Sequence, residues 1–96
     1  AYGNKSSRQK LLAGKVTHYY QKIGVAEITA TGPIKRGQEY LIIGETTGVL
    51  SGTLEELRLD DTSLVDHVEA KQVFSIKVDQ RVRLNDKFFL HLPSNP

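Results

Sequence analysis

No cysteine occurs anywhere in the 96 residues. That one absence removes disulfides, thiolate zinc sites, cysteine-ligated iron-sulfur clusters and a cysteine nucleophile together. It agrees with a reducing compartment, so a cytoplasmic location is the expectation. Methionine is absent as well, so Ala1 is not an initiator, and the chain is expected to be a fragment of a longer protein. No apolar run approaches the roughly 20 residues that span a bilayer, and no charged-then-apolar signal segment opens the chain. No membrane partner is expected. The length suits one modest core and leaves no room for a separate catalytic lobe.

Acid is missing from the first quarter of the chain. Residues 1–24 carry Lys5, Arg8, Lys10, Lys15 and Lys22 and no carboxylate, a charge of +5, whereas the remaining residues sum to −3, giving the net +2. Such asymmetry marks either a face for a polyanion or a solvated leader.

Residues 1–10 are polar, with Gly3, Asn4, Ser6 and Ser7, and read as a linker. Residues 11–93 read as a β domain, and residues 94–96 as a frayed end. The first strand, 11–20, alternates. Leu12, Gly14, Val16, His18 and Tyr20 fall on one face, and Leu11, Ala13, Lys15, Thr17 and Tyr19 on the other. Gly24 permits the positive φ of a hairpin turn, and residues 25–30 return as the partner strand. Residues 39–43 are apolar on both faces, as a covered strand should be. Residues 49–59 form a strand whose apolar positions change phase, which predicts a bulge or bend with Gly52 as a hinge. A single helical turn through Leu54-Glu-Glu-Leu57 is the rival. Residues 60–68 read as an acidic loop. Residues 73–78 alternate, with Phe74, Ile76 and Val78 inward and Ser75 and Lys77 outward. Residues 87–92 are the last strand, stopped by Pro93.

An internal echo links two of these strands. Ile34-Lys-Arg-Gly-Gln-Glu-Tyr-Leu-Ile42 and Val82-Arg-Leu-Asn-Asp-Lys-Phe-Phe-Leu90 share a turn followed by an apolar strand, with Gly37 matched by Asn85. Asparagine is the next residue after glycine in tolerating a left-handed turn. Two such units among six strands predict an all-β fold, a closed six-stranded antiparallel β-barrel of Greek-key type with approximate internal symmetry.

Catalytic patterns are scarce. His18, His67 and His91 lack a second ligand at metal spacing, so neither a metal nor a cofactor is expected. His18 on the apolar strand face reads as a hydrogen-bonded barrel residue. Gly44-Glu-Thr-Thr-Gly48 lacks the Lys-Ser/Thr ending of a phosphate loop and reads as a connection. Asp60-Asp61 reads as a solvated turn, and no Gly-x-Ser-x-Gly elbow surrounds Ser75. The binding candidates are Lys15, Thr17 and Tyr19 on one strand face, with Lys22 on the adjoining turn. That combination suits phosphate contact and base stacking. Arg36, Arg81 and Arg83, on the two echo turns, extend the surface if the fold gathers them. Lysine on an exposed strand face also protects against edge pairing.

Gly14-Lys-Val-Thr-His-Tyr-Tyr-Gln-Lys-Ile-Gly-Val-Ala26, Ile34-Lys-Arg-Gly-Gln38, Gly44-Glu-Thr-Thr-Gly-Val49 and Val73-Phe-Ser-Ile-Lys-Val78 together resemble the C-terminal domain of the collagenase-like peptidase family U thirty-two. That domain is similar to the second domain of elongation factor Tu, a translation-factor barrel. The resemblance spans about residues 11–92, with Gln72 and Asn85 standing where glycine is expected. It implies a parent with an N-terminal catalytic domain of peptidase type, some members of which act in hydroxylation of RNA bases. Their iron-sulfur cysteines lie in the other domain and have no counterpart here. The resemblance implies a non-catalytic accessory barrel that positions substrate or partner for the parent's catalytic domain. An RNA-binding module and a purely structural docking or dimerisation domain are the alternatives.

Overall fold

The computed structural model describes residues 9–59 and 63–92, and all ten of its regular elements are β-strands. They are β1 (Gln9–Tyr20), β2 (Val25–Ala30), β3 (Ile34–Lys35), β4 (Glu39–Gly44), β5 (Gly48–Thr53), β6 (Leu57–Leu59), β7 (Ser63–Val65), β8 (His67–Val68), β9 (Val73–Lys77) and β10 (Lys87–Leu92). Eight form one antiparallel sheet in the order β5-β4-β10-β1-β2-β9-β6-β7, and β3 pairs separately with β8. The fold is all-β, as its alternating patterns imply.

The predicted six strands are corrected to ten. Residues 49–59 do not form one bent strand, because Leu54 leaves the sheet: its amide and carbonyl exchange hydrogen bonds with Gln38 and Gly37 at 2.8 and 2.7 Å. The chain therefore breaks after β5 and resumes as β6 on the opposite side of the sheet. No helical turn forms there, and both Leu54 and Leu57 are buried. Gly52 lies within β5 beneath the Tyr40 ring rather than at a hinge. The stretch read as an acidic loop supplies β7 and β8, with Asp60 and Asp61 outside the described residues. Ile34 and Lys35, read as part of a turn, pair with Val68 and His67. Closure of the main sheet is not among the described strand pairings, which leave β5 and β7 at its two ends. β1 begins at Gln9, inside the segment read as linker, while residues 1–8 and 93–96 lie outside the described residues.

Three turns of one construction launch β4, β9 and β10. In turns 35–38, 69–72 and 83–86 the third residue has positive φ: 94° at Gly37, 75° at Lys71 and 72° at Asn85. The fourth residue's amide donates to the first residue's carbonyl at 3.2 to 3.3 Å, the type II pattern. The fourth side chain then folds back, so that Gln38 Oε1, Gln72 Oε1 and Asp86 Oδ2 accept the first residue's amide at 2.8, 2.7 and 2.9 Å. Each turn is clasped by a two-way backbone exchange with a buried apolar residue: Leu54, Ala30 and Val16 respectively.

The core follows from these clasps. Ile34, Val68 and Val82 precede the turns; Tyr40, Phe74 and Phe88 follow; Ile42, Ile76 and Leu90 come two residues later, and all nine are buried. Phe88 sits between the other two rings, stacked on Tyr40 at 5.6 Å and edge-on to Phe74 at 5.7 Å. Such ring pairs add about 0.5–1.5 kcal/mol each beyond the area they bury.

Candidate functional site

The basic first hairpin is the place to look for a site, and two irregularities decide which of its side chains face outward. Against β10 the register of β1 shifts between Leu12 and Gly14, and against β2 it shifts between Val16 and His18. Each bulge puts two consecutive residues on one side of the strand and reverses the alternation after it. At the first, Ala13 and Gly14 are both buried; at the second, Thr17 and His18 are both exposed. Tyr19 therefore turns inward and packs against the core, whereas Tyr20 joins His18 outside, their ring centroids 4.3 Å apart.

The expectation that Lys15, Thr17 and Tyr19 share one open face is corrected accordingly. Lys15 and Thr17 do face outward, with Thr17 Oγ1 donating to the Glu27 carbonyl at 3.2 Å. Tyr19 does not, and His18, read as lying on the apolar strand face, is exposed. Lys22 is exposed on the β1–β2 turn, where Gly24 takes a φ of 65°. It lies at the far end of the hairpin, roughly 20 Å along the strand from Lys15 at about 3.3 Å per residue.

The three arginines divide between two ends of the sheet. Arg36, in turn 35–38, precedes Glu39 and pairs with Asp66 at 3.3 Å. Arg83, exposed like Arg81, sits in turn 83–86 ahead of Lys87, which pairs with Ile43 at the other end of β4. The length of β4 thus separates Arg36 from the other two. Turn 83–86 is clasped to Val16, which places the segment carrying Arg83 beside Lys15.

Sequence reasoning missed Lys87. It pairs directly with Lys15 across β1 and β10, and both side chains are exposed. Its signal was the alternation of the last strand, which puts Lys87 and Phe89 on the face opposite to Phe88 and Leu90. Ser75, read as outward, is nevertheless buried where β6 pairs across it at Arg58.

Two further features bear on chemistry. A cleft of about 670 Å³ opens between the end of β5 and β9, lined by Tyr40, Gly52, Leu54, Glu55, Arg58 and Asp79. Burial pushes the Tyr40 phenol above its ordinary 10.0, and the Asp79 carboxylate adds to that rise. No group of three or more metal-ligating side chains occurs among the described residues.

With this geometry in place, the chain can be set beside known proteins. A curated protein named collagenase from Porphyromonas gingivalis is 37% identical over 89 residues, covering 92% of this chain and 21% of that protein. An uncharacterized protease of Methanocaldococcus jannaschii is 31% identical over 88 residues, again covering 92% of this chain and 21% of that one. In fold, the C-terminal domain of a Geobacillus thermoleovorans protein described as a U32 peptidase superposes with a TM-score of 0.78. It is 18% identical, and the match covers 83% of this chain and 91% of that one. The sequence relatives are thus named collagenase and protease, and the fold is that of a C-terminal domain described as part of a U32 peptidase.

No family model matches the chain. The chain spans about a fifth of the length of the curated relatives it matches, so it is alike to a part of them. Both departures from the expected U32 pattern are explained by the turns. Asn85 itself takes the left-handed conformation that glycine would, and in the other turn that burden falls on Lys71, one residue before Gln72.

Proposed function

We propose that this chain is an accessory domain of a U32-type peptidase, positioning a substrate or partner for a catalytic domain elsewhere in the same polypeptide. The observation that carries the reading is the match of 92% of this chain to 21% of a protein named collagenase. Four-fifths of such a parent lie elsewhere, with space for a separate active site. Binding energy supplied at a remote surface serves catalysis by holding substrate at the reacting centre. The test is removal of this domain from the parent. Cleavage of a long gelatin substrate should show a raised KM, while kcat on a short peptide stays unchanged. Equal loss of kcat on both substrates would overturn the reading.

The same reading includes a barrel of translation-factor type, with the two ends of the main sheet brought round through the β3–β8 pair. Its support is the set of links on both sides of that pair: Leu54, after β5, bonds the turn that follows β3, and the Arg36 amide donates to the Asp66 carbonyl, between β7 and β8, at 2.8 Å.

RNA binding is a second reading, favoured by one observation: Lys15 lies directly opposite Lys87, and both side chains are exposed. If it holds, affinity for tRNA falls steeply with salt and Lys15→Ala with Lys87→Ala weakens it uniformly across sequences. Absence of binding at low salt removes it.

A further inference from the structure

The outward face of β1, β10, β4 and β5 forms a regular grid, because directly paired residues point to the same side of an antiparallel sheet. One row reads Lys10, His91, Glu39, Thr53; the next, Leu12, Phe89, Leu41, Ser51; the third, Lys15, Lys87, Ile43, Val49. The opposite side of the same strands carries the core residues Tyr40, Ile42, Leu50, Phe88 and Leu90. These four strands therefore carry apolar residues on both faces, and among the described residues only one face is covered by the core.

On the uncovered side Leu12, Phe89, Leu41, Ile43 and Val49 run diagonally across the grid as one continuous band. Leu12 is 51% and Val49 65% exposed, and the three between them are half-buried. Monomeric domains seldom leave so connected an apolar band in water without a partner for it. Its border is unevenly charged. Lys10, Lys15 and Lys87 flank it, with Lys10 Nζ lying 5.1 Å from the centre of the Phe89 ring. The only carboxylate within the grid is Glu39, whose Oε1 stands 3.9 Å from His91 Nδ1.

We infer that this face is the docking surface for the adjacent domain of the parent polypeptide, which meets it with apolar side chains rimmed by carboxylates. Three observations commit the proposal to that occupant. The relatives extend far beyond the segment matched here. The matching Geobacillus domain is C-terminal, so its neighbour precedes β1, and the grid's first two members, Lys10 and Leu12, lie within the opening residues of β1. A preceding domain thus joins the chain at the edge of the band, and covalent linkage raises its effective concentration there. The lysine border supplies the charge complementarity. Interdomain faces of this kind are mixed in polarity, as the grid is.

The inference rests on the accessory-domain reading but fails separately from it. The experiment compares hydroxyl-radical labelling of Phe89 and Leu41 in this chain alone and within the whole parent. Labelling should fall severalfold in the parent. The parent's preceding domain, expressed separately, should bind this chain, with affinity reduced at least tenfold by Leu12→Asp combined with Val49→Asp and unchanged by Ile23→Asp on the β1–β2 turn. Both substituted positions are exposed, and retained melting behaviour of the variants verifies their fold. Equal labelling in chain and parent overturns the proposal. So does self-association of the isolated chain abolished by Val49→Asp, which would make a second copy the occupant, or protection of the face by tRNA alone. Docking without any effect of domain removal on cleavage would sink the positioning role and leave the docking surface standing.

Discussion

The backbone amide of Lys71 donates to the carbonyl of Ala30 at 2.8 Å while Lys71 itself holds a φ of 75°. An L side chain in that conformation costs about 1–2 kcal/mol. The side chain is exposed, so nothing in the core needs it there. Glycine takes the conformation freely but loses more freedom on folding, about 0.5–1 kcal/mol. Lys71→Gly should therefore raise the unfolding free energy by roughly 0.5–1 kcal/mol. Urea midpoints at unchanged slope measure it. A lower midpoint would mean that the Lys71 side chain stabilises the turn in some other way.

Gly44 and Asp86 occupy one space. A methyl group at Gly44 would overlap the Asp86 carboxylate, which accepts the Arg83 amide and the Thr47 hydroxyl and is itself buried. Gly44→Ala should destabilise by about 1–3 kcal/mol through overpacking. Asp86→Ala should cost a similar amount, because it leaves the Arg83 amide without its acceptor. The double variant should be less damaging than the two single losses combined, by about 0.5–3 kcal/mol. Strict additivity in a chemical-denaturation cycle would show that Gly44 is needed for another reason.

Most of the strands were legible because strand period and turn chemistry agree locally. Val73–Lys77 and Lys87–Leu92 were found as strands around the buried Phe74 and Phe88, and Asn85 takes the left-handed turn its match to Gly37 implied. The third copy of that unit, Val68-Glu-Ala-Lys-Gln-Val-Phe-Ser-Ile76, carries the same spacing and went unread, since lysine is an improbable residue for positive φ. The site was less legible for a different reason. Bulges follow from what the neighbouring strand needs, so Leu11 to Tyr20 reads as a smooth alternation and nothing within it marks the reversals at Ala13 and Thr17. A one-residue slip exchanges faces, which is why Tyr19 went inside and the outward grid was seen only once β10 and β4 were placed beside β1. The break at Leu54 has the same origin, a backbone exchange with turn 35–38 distant in sequence.

Tyr40 links stability to alkaline pH. Its pKa is raised by burial, with a further contribution from Asp79, so the folded state favours the neutral phenol more than the unfolded chain does. That contribution is fully present below the unfolded value of about 10 and is lost as pH rises through the higher folded value. Denaturant midpoints should fall as pH passes about 10, and Tyr40→Phe should make that fall shallower while preserving the stack on Phe88. An identical pH slope in the two proteins would remove Tyr40 as the cause.

Lys15 and Lys87 set stability against binding. Like charges directly opposite across an antiparallel pair are unfavourable, and here they face each other at the border of the outward apolar band. Lys87→Glu replaces repulsion with attraction and should stabilise the isolated chain by about 0.2–1 kcal/mol at low salt. The gain should shrink as ionic strength shortens the screening length to about 8 Å and below. The same substitution removes a cation from the rim that a carboxylate-bearing neighbour would meet, so it should weaken association with the parent's preceding domain and slow its on-rate. Stability and docking are then expected to move in opposite directions, with Lys87→Gln intermediate in both. A thermal melt and a titration on the same three proteins decide it. If Lys87→Glu stabilises the chain and leaves docking unchanged, the lysine pair lies outside the interface, and the rim must be drawn through Lys10 and His91 alone.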